Sequence, residues 1–361
     1  MHVFLYPQKD TTIYSNTTTQ NTGKDEILEV LNYFSTGSLL SSPAYSRILL
    51  DFDLSWISSS INSGDIFADK IYLNMFVCNA SELLNDSEQL YIYPITGSWV
   101  EGIGKKLSST ISTNGASWIY TDGEITSSWN QSGSDYISSS QYEVTASLWE
   151  NENTFQSSGN YIYELADMRT DVTDIVHGWL SGSIEENGFL IKRSDEYELD
   201  EKEHGMLQFY SMNSHTVYIP KLEFVWDDSL YHTGSLTEIS SSDMFVFVKQ
   251  LQEQYNNRSK PTIRVGARKL YPTKSYTTSN PYSIVNYLPS SSYYSVIDAA
   301  TENTIIPFDD YSKLSCDENG NYFNLRLDGL FPERFYKIKI KVVSGSIENI
   351  YDQNYTFKVV R

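Results

Sequence analysis

Residues 170–192 read TDVTDIVHGWLSGSIEENGFLIK, one short helix followed by a strand, in a chain otherwise built from short Ser-, Thr- and Tyr-rich strands. Val172, Ile175, Val176, Trp179 and Leu180 fall at i, i+3, i+4, i+7 and i+8, the spacing of a single buried helical face. Thr173 is placed to cap the start and Gly182 the end. A helix of about two turns is too short to hold together alone in water. It must pack on a sheet, so the surrounding sequence has to supply one.

The flanking sequence does. SRILLDFDLSWI (46–57) alternates, with Ile48, Leu50, Phe52 and Leu54 on one face and Asp51 and Asp53 on the other, the pattern of a half-buried strand. DKIYLNMFVCNA (69–80) and EQLYIYPI (88–95) follow, rich in Ile, Val and Tyr and separated by Ser/Asn/Asp loops. Residues 96–160 are Gly-, Ser-, Thr- and Asn-rich with scattered tryptophans, Trp99, Trp118, Trp129 and Trp149, and read as long loops pinned by aromatic anchors. After the helix come the strands NGFLIKR, MLQFYS and VYIPKLEFVW, with the acidic loop SDEYELDEKEHG (194–205) between the first two. All seven tryptophans lie before residue 228, and DDSLYHTGS reads as a polar linker. Beyond it, PTIRVGARKLY, YSVIDAATENTIIPF, NYFNLRLDGL, RFYKIKIKVVSG and QNYTFKVV give strands at turn-bounded intervals, the signature of a second β-sandwich. The expected fold is all-β, with domains at 1–228 and 229–361.

At 361 residues the chain is long enough for two domains with cores of their own. A net charge of −20 argues against binding nucleic acid, which draws on an excess of Lys and Arg. Cys78 and Cys316 are too few and too far apart in sequence for a disulfide framework and read as free thiols. The first 15 residues lack a basic region followed by a long apolar run, and no later stretch has the length of a membrane span, so neither secretion nor membrane insertion is expected.

Taken in order, DTTIYS (10–15), RILLDFDLS (47–55), YIYPITGSWVEG (91–102), DVTDIVHGWLSG (171–182), NGFLIK (187–192) and PKLEFVW (220–226) resemble the DNRLRE-type jelly-roll module of bacterial surface proteins and some carbohydrate-binding proteins. The resemblance covers most of residues 1–228. It implies that the helix caps one open end of a two-sheet sandwich, with Val172, Ile175, Val176 and Trp179 as its buried lid. Where that family continues into a TW segment, this chain has the longer loop 102–160. CDENGNYFNLRL and FPERFYKIKIKVV resemble the last strands of immunoglobulin-like or fibronectin-like domains. The whole chain, through SSWN, HTVYIPKLEFVWDD, LYPTKSY, LSCDENGNYF and LFPERFYKIKIK, resembles virion structural proteins of large tailed bacteriophages. That resemblance implies assembly in the host cytoplasm, other virion proteins as partners, and repeated copies or a homo-oligomeric ring in the particle.

Candidate chemistry is sparse. Asp51 and Asp53 on one strand face suggest a calcium site, against the plainer reading of a solvated polar face, which is preferred. The acidic loop lacks the spaced Asp/Asn/Gly pattern of a calcium loop and reads as a solvated turn. His177, His204 and His215 lack metal spacing and a nucleophile partner. EGIGKK (101–106) lacks the spacing of a phosphate loop. No catalytic residue, cofactor or metal is expected. The leading expectation is a non-enzymatic virion component, in the neck, collar, tail or capsid decoration, acting by protein docking. The alternative is a carbohydrate-binding module stacking sugars on Trp118 and Trp129, and an enzyme ranks last.

Overall fold

A computed structural model describes residues 1–34, 43–80, 89–108, 110–123, 127–147, 167–200, 202–239, 244–272, 284–345 and 347–361. The protein is all-β, with curled sheets in a β-sandwich arrangement and three short α-helices among the described residues. None of these helices is long and apolar enough to cross a membrane.

The contacts divide the chain into two compact units, one made of Leu5–Ile66 and Lys70–Glu223, the other of Met1–Phe4, Phe67–Asp69 and Phe224–Arg361. A single cut after residue 228 does not describe this division. Phe4 is 3% exposed and packs among Ile239, Val265, Leu325 and Leu327 of the second unit. The backbone of Gly329 meets it so closely that a Cβ there would lie 2.3 Å from the Phe4 carbonyl oxygen.

The first unit is organised on the strand Pro43–Phe52. Its start pairs with Ile27–Phe34 (Asn32 opposite Tyr45), its remainder with Pro7–Tyr14 on one side, and Ile48–Leu50 with Phe189–Lys192 on the other. Phe189–Lys192 continues to Gln89–Pro94 and then to Val144–Ser147, a strand inside the stretch expected to be loop. Ile48, Leu49, Leu50 and Phe52 are all buried, and so is Asp51. The strand is therefore covered on both faces, not on the one face that its alternation indicates. A smaller sheet holds Lys70–Met75 and Met168–Asp171 as antiparallel neighbours.

Among the described residues there are three α-helices where a single one is expected. Helix α1, Ser55–Asn62, follows the central strand directly, and Asp53 accepts a hydrogen bond from Ser55 N at 3.0 Å. Asp53 is thus a helix-start residue, and Asp51 and Asp53 do not share a solvated strand face. Helix α2, Thr173–Leu180, is the one read from residues 170–192. Asp171 rather than Thr173 holds its start, accepting from Thr173 N at 3.0 Å, while the Thr173 hydroxyl accepts from Ile71 N. Gly182, at φ +71°, ends it with Gly182 N donating to Trp179 O. Helix α3, Asp195–Leu199, lies in the segment expected to be a turn, with Ser194 Oγ accepting from Tyr197 N.

Val172, Ile175 and Val176 are fully buried, and the Trp179 ring sits 4.6 Å from Phe189, which in turn meets Phe52 edge-on. His177 is exposed. Trp179→Ala is expected to lower the stability of this unit by about 3–5 kcal/mol, the range for emptying a large aromatic from a core, with His177→Ala close to wild type. Urea melts of both variants measure this, and equal small losses would show that the helix carries little of the core.

The second unit faces two sheets across one core. One runs through Met244–Lys249, Thr262–Lys269, Gly320–Asn324 and Ser315–Asp317, the other through Thr304–Ile306, Ser292–Asp298, Phe335–Ser344 and Ile347–Val360. Val246, Ile263, Val265 and Phe323 from the first meet Tyr294, Val296, Tyr336, Ile338 and Ile340 from the second. Tyr294 stacks on Phe323 at 4.1 Å across the middle.

Candidate functional site

The residues with the most chemical character in the first unit gather on the outer face of its main sheet. Ile13, Leu49, Tyr93 and Leu190 project from four neighbouring strands and are covered by Ile95, Trp99, Ala116, Trp118 and Trp129. The described residues between 95 and 136 are therefore a third layer laid on the sheet. Trp118 and Trp129 are 6% and 5% exposed. Trp118 packs edge-on to Tyr45 at 5.1 Å with the Arg47 guanidinium 5.0 Å from its ring, and Trp129 Nε1 donates to Ser117 O. Neither ring offers a free face to a sugar, and this corrects their assignment as glycan contacts. Trp99 is buried as well, with its Nε1 donating to Asn187 O and Lys9 lying 4.8 Å from the ring. Trp149 lies outside the described residues.

Asn21 fastens the layer. Its side chain is fully buried, donating to Glu101 O at 2.7 Å and Ala116 O at 2.8 Å and accepting from Gly104 N at 2.8 Å and Gly23 N at 3.2 Å. All of its hydrogen-bonding positions go to backbone groups that would otherwise be orphaned. The chain approaches so closely that a Cβ on Gly102 would lie 2.4 Å from Asn21 Oδ1. EGIGKK (101–106) is thus a glycine-dependent wrap around an asparagine.

Beside this layer lies a buried charge cluster. Arg47 binds Glu198 with two hydrogen bonds, 3.0 Å from Nε and 2.6 Å from Nη2, and gives a third to Gly133 O. Lys192 lies 3.1 Å from the same carboxylate and also pairs with Asp195. Burial works against the charge on Arg47, but its bonds to Glu198 outweigh that and its pKa is raised. Sequence reasoning missed this cluster, because residues 47, 192 and 198 meet only through the sheet register.

Asp10 is the other buried acid of note. It accepts from Met212 N at 2.6 Å and Ser211 Oγ at 3.0 Å. Burial nevertheless pushes its pKa up to about 7. The native state then holds this proton more tightly than the unfolded chain, so its contribution to stability falls as pH rises from about 4 to about 7, by at most ~4 kcal/mol. Asp10→Asn should lack that slope. Urea melts of wild type and variant across this pH range would show the stability difference shifting in the variant's favour as pH rises, whereas a constant difference would mean that Asp10 stays ionised when folded.

The remaining candidates are ordinary surface or structural groups. Asp51 pairs with Lys9 at 2.9 Å and accepts from Gln8. His204 lies 2.8 Å from Asp200 and stacks on Tyr197. Among the described residues no group of three or more His, Cys, Asp or Glu side chains is placed to hold a metal ion. Among the exposed residues of the layer are four apolar ones: Val100, Ile103, Leu107 and Ile111 are 50%, 71%, 94% and 61% exposed. The lysines between them are engaged, Lys105 with Glu26 and Lys106 with Glu29.

No family model matches the chain, and no curated protein matches it. Two solved structures, both of beta-glucuronidase from Parabacteroides merdae and one with glycerol in its active site, are similar at 9% and 7% identity. The matches cover 96% and 81% of this chain but 36% and 28% of theirs, with TM-scores of 0.18 and 0.17. Similarity of that order carries no argument about activity.

Proposed function

We propose that this chain is a non-enzymatic structural component of a tailed-bacteriophage virion, acting by docking to other virion proteins and present in repeated copies. The reading starts from the sequence resemblance to such proteins, with a DNRLRE-like jelly roll in the first unit and an immunoglobulin-like sandwich in the second. The observation that carries it furthest is the loop formed by residues 100–108, 110 and 111. It is clamped on Asn21 and displays four apolar side chains at 50% exposure or more. Exposed apolar side chains grouped on a loop anchored at Glu101 and Gly104 are suited to burial against another protein, because the anchored part has its ordering cost already met. Glycan recognition loses support, since the two tryptophans nominated for it are core residues.

Mass spectrometry of purified particles from the source phage, beside particles grown with this gene disrupted, tests the reading. The protein should be present in intact virions, and its loss should impair their structure or infectivity. Absence from the particle, or disruption without consequence, would overturn it.

A further inference from the structure

The second unit carries a sheet edge that nothing among the described residues covers. Ile347–Val360 is a 14-residue strand paired on one side with Phe335–Ser344. On its other side the short strand Gln254–Asn256 reaches only Lys358–Val360. The Gln353 side chain donates to Val246 O, and Asn354 takes a positive φ of 57°, so the strand departs from regular geometry there. The straight open edge is therefore residues 347–352.

Its hydrogen-bonding pattern follows from the hairpin. Ser344 is the register partner of Ile347, with two residues between them, and the closing pair of a two-residue hairpin is a hydrogen-bonded pair. Ile347, Asn349 and Tyr351 thus bond inward, while Glu348, Ile350 and Asp352 turn their backbone N–H and C=O groups to the open edge. Lysine and proline, two of the usual protections of an edge strand, are missing from residues 347–356, and the irregular stretch at 353–354 lies beyond the proposed contact. Ile347 and Ile350 are instead 47% and 55% exposed.

We propose that this edge pairs with the same edge of a second copy of the chain, antiparallel and centred on Ile350. In that register Ile350 faces Ile350 of the other copy, and Glu348 faces Asp352 twice, which gives three hydrogen-bonded pairs without entering the turn or the irregular residues at 353–354. Charge favours a second copy as the occupant. Lys341 pairs with Glu348, and Lys337 and Lys339 both pair with Asp352 at 3.1 and 3.3 Å. Three lysines thus flank two carboxylates in each copy, and the carboxylates brought face to face are bracketed by cations. Residues 224–361 hold 15 Lys/Arg and 15 Asp/Glu, so the whole net charge of −20 falls on residues 1–223. Copies repel through residues 1–223, whereas residues 224–361 add no net charge against the contact, and the three lysines offset the opposition of Glu348 and Asp352. The contact deepens the repeated-copy reading by naming a surface, but it stands on the edge itself, and the particle experiment and the one below fail separately.

Light scattering and amide hydrogen exchange of the full chain across a wide concentration range test it. The average mass should rise from 41.3 kDa towards twice that value, with slowed exchange at Glu348, Ile350 and Asp352. Ile350→Pro removes one outward N–H and leaves the inward ladder intact, and it should hold the mass at one chain. Ile350→Lys, a second variant that keeps every backbone donor, should do the same by setting a lysine beside Lys341. Wild-type mass constant at one chain, association unchanged in the folded variants, or association without protection of those three amides would each overturn the proposal. Protection appearing only with another virion protein would reassign the edge to that partner and overturn it likewise.

Discussion

Asn21→Ala is expected to cost the first unit roughly 3–6 kcal/mol, because it leaves one buried and one part-buried carbonyl and two buried N–H groups without the partner that satisfies them. The loss should fall on the outer layer first. Trp99, Trp118 and Trp129 belong to that layer, so their fluorescence should shift towards that of hydrated indole at urea concentrations where the sheets remain folded. Asn21→Asp keeps the shape but has no N–H to give Glu101 O and Ala116 O, and it places a carboxylate in a site built for an amide. It should be no better tolerated. A loss below about 1 kcal/mol, the worth of one ordinary hydrogen bond, would show that the glycine-rich wrap holds itself in place.

Glu198→Ala should be comparably damaging. It removes the carboxylate that satisfies Arg47 and Lys192 together, and both cations are buried. Breaking a buried pair from one side typically costs about 3–5 kcal/mol, since the surviving charge stays desolvated and unmatched. Arg47 loses its carboxylate partner while Lys192 keeps Asp195, so the middle of that range is expected. Glu198→Gln retains an acceptor for Arg47 but not the charge, and it should lie between wild type and alanine. Urea melts of the three proteins order them, and a glutamine variant as stable as wild type would mean that hydrogen bonding rather than charge holds the cluster.

What the sequence discloses and what it conceals divide along the distance over which each feature is determined. Helix α2 was legible because Ile175, Val176 and Trp179 repeat with a local period and Gly182 sits where a left-handed residue is needed. The strands of both units were legible for the same reason. Helix α1 was hidden because SWISSSIN is rich in serine, a weak helix former, and because the alternation of the preceding strand continues as far as Leu54. Helix α3 had a local signal in Ser194 as its cap, but its acidity suggested solvent, and the burial of Glu198 depends on Arg47, 151 residues away. The tryptophans at 118 and 129 looked available because their neighbours are polar. Their burial comes from a sheet face supplied by Ile13, Leu49, Tyr93 and Leu190, and no window of sequence contains that face. Phe4 is the same case, a residue whose core lies more than 200 positions ahead of it.

The clamp at Asn21 also sets an order of events during synthesis. Three of its four side-chain partners lie at residues 101–116, and the carboxylate of Asp10 waits for Ser211 and Met212. While the ribosome makes the first hundred residues, the strand Pro7–Tyr14 and the segment after it have reached the cell without the groups that complete them. Contacts of such long sequence separation form late and slowly, and a nascent chain holding an unfinished sheet is exposed to aggregation meanwhile. The first hundred residues already hold 11 Asp/Glu against 4 Lys/Arg, so neighbouring nascent chains on one messenger repel one another before residue 212 arrives.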